Sequence, residues 1–310
     1  MTTIAFASRQ PAEAEAQWLA ALSAAMPELS VRALRDLDAE ARRKVEVAIV
    51  ANPDPADLAL LPNLKWIHST WAGVERLVAE LGAGAPPIVR LVDPELARTM
   101  AEAVIAWTYY LQRDMPAYAA VQQARRWEPR PYRRPGETTV GLLGLGALGV
   151  AAARRLSEAG FKVMGWSRTP KDIPGVDART ELPGVLSASD IVVCLTPLTD
   201  QTRGLLNAER LGWMKPGAGL INFARGPIVV TGDLLAALDT AHLSHAVLDV
   251  FDQEPLPADS PLWSHRSVTV LPHISAVTDR GTASAIVADN IRRWLSQGVL
   301  PQTVDMARGY

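Results

Sequence analysis

A chain of 310 residues, 48% of them hydrophobic, is long enough for two domains and can bury a sizeable core. Its 31 basic residues against 33 acidic ones leave a formal charge of −2, so neither a nucleic-acid nor a membrane surface is expected. A single cysteine, Cys194, excludes an internal disulfide, fits a reducing compartment, and reads in "DIVVCLTP" as a small buried hydrophobe, not a nucleophile.

The N-terminus "MTTIAFASRQ" has no charged segment followed by a long apolar one, so no signal peptide is expected. "TIAFAS" reads as a strand and "AEAEAQWLAALSAAM" as an alanine-rich helix ending before Pro27. "VEVAIVAN" and "LKWIHST" read as further buried strands closed by polar or proline-bearing turns. From Asp93-Pro94 to Arg113 runs the helical pattern "ELARTMAEAVIAWTYYLQR", suited to an inter-domain helix. The cluster "RRWEPRPYRR", Arg125 to Arg134, carries prolines and precedes an apolar strand, so a solvated linker is preferred to an anion-binding patch.

A second α/β series follows. Its strands are expected at Thr139–Leu143, Lys162–Trp166, Ile191–Leu195, Gly219–Asn222, Ala246–Asp249 and Val268–Leu271, with helices starting near Ala147, Glu181, Asn207 and Thr231. The longest apolar stretch, Val140 to Ala153, contains four glycines and is too short to span a bilayer, and the chain reads as cytoplasmic. The amphipathic "DRGTASAIVADNIRRWLSQG" is expected to pack back on the first domain. The pattern predicts an α/β protein of two Rossmann-like parallel-sheet domains with a cleft between them as the ligand site. Residues 1–93 with 281–310 would form the substrate-binding domain, and 94–280 the dinucleotide-binding domain.

"TTVGLLGLGALGVAAARRL" places Gly144, Gly146 and Gly149 in a G-x-G-x-x-G pattern after a β-type run and at the start of a helix. The first glycine allows a tight turn, the second lets backbone approach a pyrophosphate, and the third lets helix and strand pack closely. Gly144, Leu145, Gly146, Ala147, Leu148 and Gly149 are therefore candidate cofactor residues, with a merely structural turn as the bland alternative. The next strand ends in "GWSRTPK", where many dinucleotide sites carry a carboxylate for the ribose hydroxyls. Ser167 stands there instead, Arg168 offers a planar fork to a 2′-phosphate, and Lys171 adds a point charge. Arg168 and Lys171 as plain surface residues is the alternative. The missing acid favours NADP(H), with NAD(H) left open.

Three further stretches align with strand ends: "LINFARGPIVV" with Arg225, "VLDVFDQEPLP" with Asp249 and Glu254, and "VTVLPHISA" with His273. With the fingerprint glycines, their order resembles the D-2-hydroxyacid dehydrogenase family, and more narrowly its bacterial glyoxylate/hydroxypyruvate reductases. The narrower likeness rests on "YAAVQQARRWEPRP", "GWSRTPK", "SPLWSH" and "VDMARGY"; the first domain matches mainly through "LKWIHSTWAGVERLV". The resemblance implies a flavodoxin-like first domain and a homodimer. It implies that Arg225 binds the carboxylate and carbonyl of a 2-oxoacid, His273 exchanges the substrate proton, and Glu254 holds His273 and raises its basicity. It also implies that Asp249 contacts the nicotinamide carboxamide and that Thr196, Pro197 and Ala224 line the cofactor. Trp71, Ala72, Gly73 and Val74 match the loop over the substrate carboxylate; Trp71 replaces the glycine of most members, narrowing the pocket or serving packing.

His68, His242, His245 and His265 read as residues near strand ends or turns without a paired acid and arginine, and no metal spacing is convincing. The expected activity is NADPH-dependent reduction of glyoxylate, hydroxypyruvate or another small 2-oxoacid to the D-2-hydroxyacid, with His273 as proton donor. A formate-oxidising relative would pair its histidine with glutamine. A non-enzymatic, corepressor-like nucleotide sensor is the rival from another class.

Overall fold

The computed structural model describes residues 1–306, 308 and 309; Ala307 and Tyr310, two residues of the "VDMARGY" run, lie outside the described residues. The chain divides into two compact units, Met1–Glu95 with Thr278–Tyr310, and Leu96–Val277.

In the first unit, strands β1 (Thr3–Ser8), β2 (Ser30–Ala33), β3 (Val47–Ala51), β4 (Trp66–Ser69) and β5 (Ile88–Val89) alternate with helices α1 (Ala12–Ala25), α2 (Ala39–Lys44), α3 (Pro55–Leu58) and α4 (Glu75–Leu81). The strands form one parallel sheet in the order β2-β1-β3-β4-β5, the flavodoxin-like arrangement. The run "VAIVA" of β3 is buried at every position, as a strand covered on both faces requires. Two residues past Val92 the chain enters α5 (Pro94–Gln112), which crosses the boundary between the units. The last helix, α11 (Arg280–Gln297), is capped by Asp279, whose carboxylate accepts from the Thr282 amide at 2.8 Å. It packs on α1, and its Val287 and Ile291 share a core with Phe6, Trp18, Ile49 and Trp66.

The second unit holds α6 (Met115–Gln123), β6 (Thr139–Leu143), α7 (Ala147–Glu158), β7 (Lys162–Trp166), β8 (Val176–Arg179), α8 (Leu182–Ala188), β9 (Ile191–Cys194), α9 (Ala208–Gly212), β10 (Ala218–Asn222), α10 (Thr231–Asp239), β11 (Leu243–Leu248) and β12 (Val268–Val270). Its seven parallel strands run β12-β11-β10-β9-β6-β7-β8. The chain leaves β6 for β7 and β8, then returns past β6 to build β9, β10, β11 and β12. This reversal opens a crevice at the carboxyl ends of β6 and β9. The expected α/β class with two parallel sheets is therefore correct. Among the described residues, no helix is long and apolar enough to cross a membrane.

Two histidines differ from expectation. β11 begins at Leu243, not Ala246, so His245 lies inside the strand, is buried, and meets the Thr269 hydroxyl at 2.8 Å. His68 lies within β4 with no exposed surface. Its Nδ1–H donates to the Ser69 carbonyl at 2.9 Å, and its Nε2 accepts from the Asn290 amide at 3.0 Å. Asn290 in turn accepts from Arg293 at 2.8 Å. These bonds fix one neutral tautomer. Burial lowers the His68 pKa from 6.5 to about 4, against the smaller opposing effect of the Ser69 bond. Burial, with the charge of His265, takes His245 to about 4 as well.

An unfolded histidine binds its proton near its ordinary pKa, before either buried ring does. The contribution of these two rings to stability should therefore be level above about pH 6.5 and fall as pH drops towards about 4, by up to roughly 3 kcal/mol for His68 alone. Thermal unfolding across that window checks this. His68→Gln should make the melting temperature fall less steeply on acidification, even if its value at neutral pH is lower.

Candidate active site

The carboxyl end of β6 shows why glycines recur there. Gly144 turns the chain with φ +107°, and a Cβ on it would sit 2.9 Å from the Leu195 carbonyl and 3.0 Å from the Thr196 nitrogen. On Gly149, in the first turns of α7, a Cβ would meet the Gly144 carbonyl oxygen at 1.9 Å. Gly146, the N-cap of α7, has nothing within 4 Å of that position. The first and third glycines thus let the loop close on β9 and α7, and the second leaves an open face before the helix amides. Leu145 buries its side chain, so only its backbone faces that opening, whereas Ala147 is exposed and Leu148 half-buried.

Thr196, two residues past β9, is buried, and its hydroxyl has no hydrogen-bond partner. Such an orphan is costly unless a ligand satisfies it. An open glycine turn, the α7 amides and this unspent hydroxyl fit a dinucleotide. Pro197 follows, its carbonyl accepting from the Thr202 hydroxyl at 2.7 Å. Past β7, Ser167 is half-buried and its amide donates to the Arg179 carbonyl at 3.0 Å. Arg168 and Lys171 are exposed, and Arg168 Nη1 donates to the Gln201 side-chain oxygen.

Arg225, Glu254 and His273 leave three adjacent strands, β10, β11 and β12. Asn222, buried at the end of β10, accepts from the Ala224 amide at 3.2 Å and donates to the Arg225 carbonyl at 3.1 Å. That clamp turns the chain so that Arg225, half-buried, stands at the strand end; its Nη1 donates to the Ala224 carbonyl at 2.6 Å. Sequence reading missed Asn222, although an amide closing an otherwise apolar strand was the available signal. Glu254 Oε1 accepts from the Phe251 amide at 3.0 Å, and its Oε2 lies 2.7 Å from His273 Nδ1. Nδ1 therefore carries the proton to Glu254, leaving Nε2 as the outward atom.

His273 has φ +56°, unusual for a residue with a Cβ. The next two amides explain how it is held: Ile274 and Ser275 donate to Asp249 at 2.7 and 2.9 Å. Asp249 is 2% exposed, so its carboxylate anchors the histidine loop. The hydrogen bond that His273 donates to Glu254 raises the His273 pKa, partly opposed by desolvation and by the Arg225 charge, with the charges of Glu254 and Asp249 adding to the rise. Burial alone would push the Glu254 carboxyl up, but the His273 and Phe251 bonds and the charges of His273 and Arg225 outweigh it, and its pKa is lowered. The structure thus brings together an arginine and a carboxylate–imidazole pair biased towards the charged form.

The loop of Trp71, Ala72, Gly73 and Val74 lies in the first unit, past β4. The Trp71 amide donates to the Ser69 hydroxyl at 3.0 Å, and its carbonyl accepts from the Leu91 amide at 3.0 Å. Val74 is buried and opens α4; the other three are half-buried.

Residues 105–275 match the family model described as D-isomer specific 2-hydroxyacid dehydrogenase, NAD binding domain. Over 304 residues the chain is 36% identical to glyoxylate/hydroxypyruvate reductase A of Yersinia enterocolitica, spanning 95% of this chain and 96% of that one. A solved D-isomer specific 2-hydroxyacid dehydrogenase of Xanthobacter autotrophicus Py2, in complex with NADPH and MES, is similar with TM-score 0.92 and 41% identity over 100% of this chain and 99% of the other. An NADPH-dependent glyoxylate/hydroxypyruvate reductase of Sinorhizobium meliloti, in complex with NADP and sulfate, gives 0.91 and 32% identity with 100% of both chains covered.

The Glu254 bond predicts a measurable titration. By NMR, the His273 ring should titrate above the ordinary histidine value, and Glu254→Gln should bring it down. An unmoved His273 pKa in that variant would contradict the pairing.

Proposed function

The chain belongs to the D-isomer specific 2-hydroxyacid dehydrogenase family, and on that premise we propose that it reduces small 2-oxoacids, glyoxylate and hydroxypyruvate foremost, to D-2-hydroxyacids with NADPH. The observation that carries this reading is the 2.7 Å Glu254–His273 pair set beside the charge of Arg225. The names of the Yersinia and Sinorhizobium relatives support the substrate class, and the NADP(H) complexes of the Xanthobacter and Sinorhizobium proteins support the cofactor.

In this reading the second unit holds the cofactor and the first the substrate, whose carboxylate meets the backbone of Trp71 to Val74. Gly144 to Gly149 and the α7 amides take the pyrophosphate, with Thr196, Pro197 and Ala224 lining the rest. Ser167 removes the usual repulsion, Arg168 grips the 2′-phosphate, and Lys171 assists. Asp249 spends lone pairs on two amides and, as a carboxylate, retains acceptor capacity for a carboxamide N–H. NAD(H), lacking the phosphate, would be the weaker cofactor.

Bound NADPH supplies the hydride that adds to the substrate carbonyl carbon. Arg225 engages the 2-oxoacid carboxylate and polarises the carbonyl as negative charge develops on its oxygen. His273 Nε2 donates the proton to that oxygen, while Glu254 keeps Nδ1–H oriented and stabilises the imidazolium. A nucleotide-sensing binding protein has no need of a carboxylate-paired histidine with a raised pKa beside an arginine, so the enzymatic reading is preferred. We also infer a homodimer of cytoplasmic location. Trp127 is 96% exposed and Tyr132 60%, both on the segment before β6, and such large apolar groups suit a partner surface.

NADPH absorbance should fall when glyoxylate is added, and no turnover with any small 2-oxoacid despite tight NADPH binding would refute the enzyme. His273→Ala should lower kcat by roughly 10²–10⁴-fold while sparing NADPH affinity. Reduction should slow as pH rises through the His273 pKa, because the proton to be donated is lost. Arg168→Ala should weaken NADPH far more than NADH, and equal losses would refute the phosphate assignment.

A further inference from the structure

Arg168 and Gln201 are 33 residues apart in sequence and hydrogen-bonded in space. They stand on the loops after β7 and β9, the two strands that flank β6 and its glycine turn. Their bond therefore joins the two sides of the crevice around that turn.

The Gln201 loop is tied by hydrogen bonds on both sides of that residue. The Thr202 hydroxyl, buried, donates to the Pro197 carbonyl at 2.7 Å and accepts from the Thr199 amide at 2.8 Å. The Arg203 amide donates to the Thr199 carbonyl at 2.9 Å. Gln201 is thus presented from a turn fixed on both sides of it, although its own side chain reaches into solvent. An exposed arginine ordinarily samples many rotamers, and ordering it on binding an anion costs affinity. A fixed acceptor reduces that cost in advance.

The acceptor's chemistry matters as much as its position. A carboxylate at this point would bind the guanidinium with a charge-assisted bond, stronger than one to an amide. It would compete with a phosphate for the same donors and repel the phosphate directly. The glutamine oxygen orients Arg168 without neutralising it, and its NH₂ group adds donors of its own. From this geometry we infer that Gln201 is a specificity-determining residue: a neutral strut that preorganises Arg168 for the 2′-phosphate monoester and sets the preference for NADPH over NADH. The inference rests on the proposal that Arg168 is the phosphate-binding residue.

The test is binding, not turnover. Wild type, Gln201→Glu, Gln201→Leu and Arg168→Ala are titrated with NADPH and NADH by fluorescence, and with 2′,5′-ADP and 5′-AMP by calorimetry. Gln201→Glu should weaken NADPH and 2′,5′-ADP by about tenfold or more, from the added like charge near the phosphate, and leave NADH and 5′-AMP within about twofold. Raising the salt concentration should shrink that loss, because the charges are exposed. Gln201→Leu should weaken NADPH less than Gln201→Glu, and should add no further loss in an Arg168→Ala background, since the two side chains act as one unit. Both residues are exposed, and unchanged melting temperatures would show that the fold is intact. If Arg168→Ala is selective for NADPH but Gln201→Glu weakens both cofactors equally or neither, the strut is wrong and the phosphate site stands. If Arg168→Ala is itself unselective, the phosphate site fails and the inference fails with it.

Discussion

One row of register runs across the whole second sheet, and every candidate functional loop of the second unit leaves from it. Val270 pairs with Leu248, Leu248 with Asn222, Asn222 with Cys194, Cys194 with Leu143, Leu143 with Trp166, and Trp166 with Arg179. On every strand of the row but β8, the next residue donates its amide back across it. Gly144 donates to Trp166, Leu195 to Leu143, Phe223 to Cys194, Asp249 to Asn222, and Leu271 to Leu248. A slip of one residue in any strand would turn its side chains to the opposite face and carry its loop out of level. The apolar residues beneath the row, such as Ile221, Val247, Val193 and Leu142, hold the register because each is buried on its own face.

Above that row, each loop needs a local device to present its residue. Asn222 turns the chain at Arg225 with two side-chain bonds, and Asp249 holds the amides past His273. The Asp249 case has an energetic logic. A left-handed backbone at a residue with a Cβ costs about 1–3 kcal/mol. Hydrogen bonds from amides to a charged acceptor contribute about 1.5–3 kcal/mol each, so the two at Asp249 can offset the strain. Gly226 completes the arrangement, since a Cβ there would meet the Phe251 carbonyl carbon at 2.0 Å and force the Glu254 loop away.

What could be read from the sequence follows from how each segment is buried. The central strands were legible because coverage on both faces leaves nearly unbroken apolar runs, as in "IVVC" and "VAIVA". β8, "VDAR", lies at the sheet edge with alternating half-exposed residues, and β2, "SVRA", is likewise a polar edge strand. Neither carries that signal. The start of β11 was hidden by Ser244 and His245, polar residues in a strand, one exposed and the other satisfied by Thr269. α6 buries no residue, so it has no apolar stripe to find. Arg225, Glu254 and His273 were legible through their order along the chain. Asn222 left only the faint signal of an amide closing an apolar strand and Gln201 left none, because each acts through another residue's geometry, which local spacing does not encode.

Charge is handled in opposite ways at the two ends of the crevice. Ser167 stands beside Arg168 in place of an acid, and the group that accepts from its Nη1 is the neutral Gln201 amide. A neutral acceptor orients a guanidinium without competing, as a carboxylate would, for the donors a phosphate monoester takes. Beside Arg225 the neighbours are acidic, with Glu254 bonded to His273 and Asp249 buried behind it. There the task is different, because an arginine alone would drive the proton off a nearby imidazole. Arg225 does lower the His273 pKa, and the bond to Glu254 more than reverses it. In the proposed reaction, Arg225 is the group fixed in charge and His273, its pKa raised, the one able to give up its proton. That division holds only while Glu254 keeps its own charge, and its lowered pKa secures this down to more acidic conditions than an ordinary glutamate would allow.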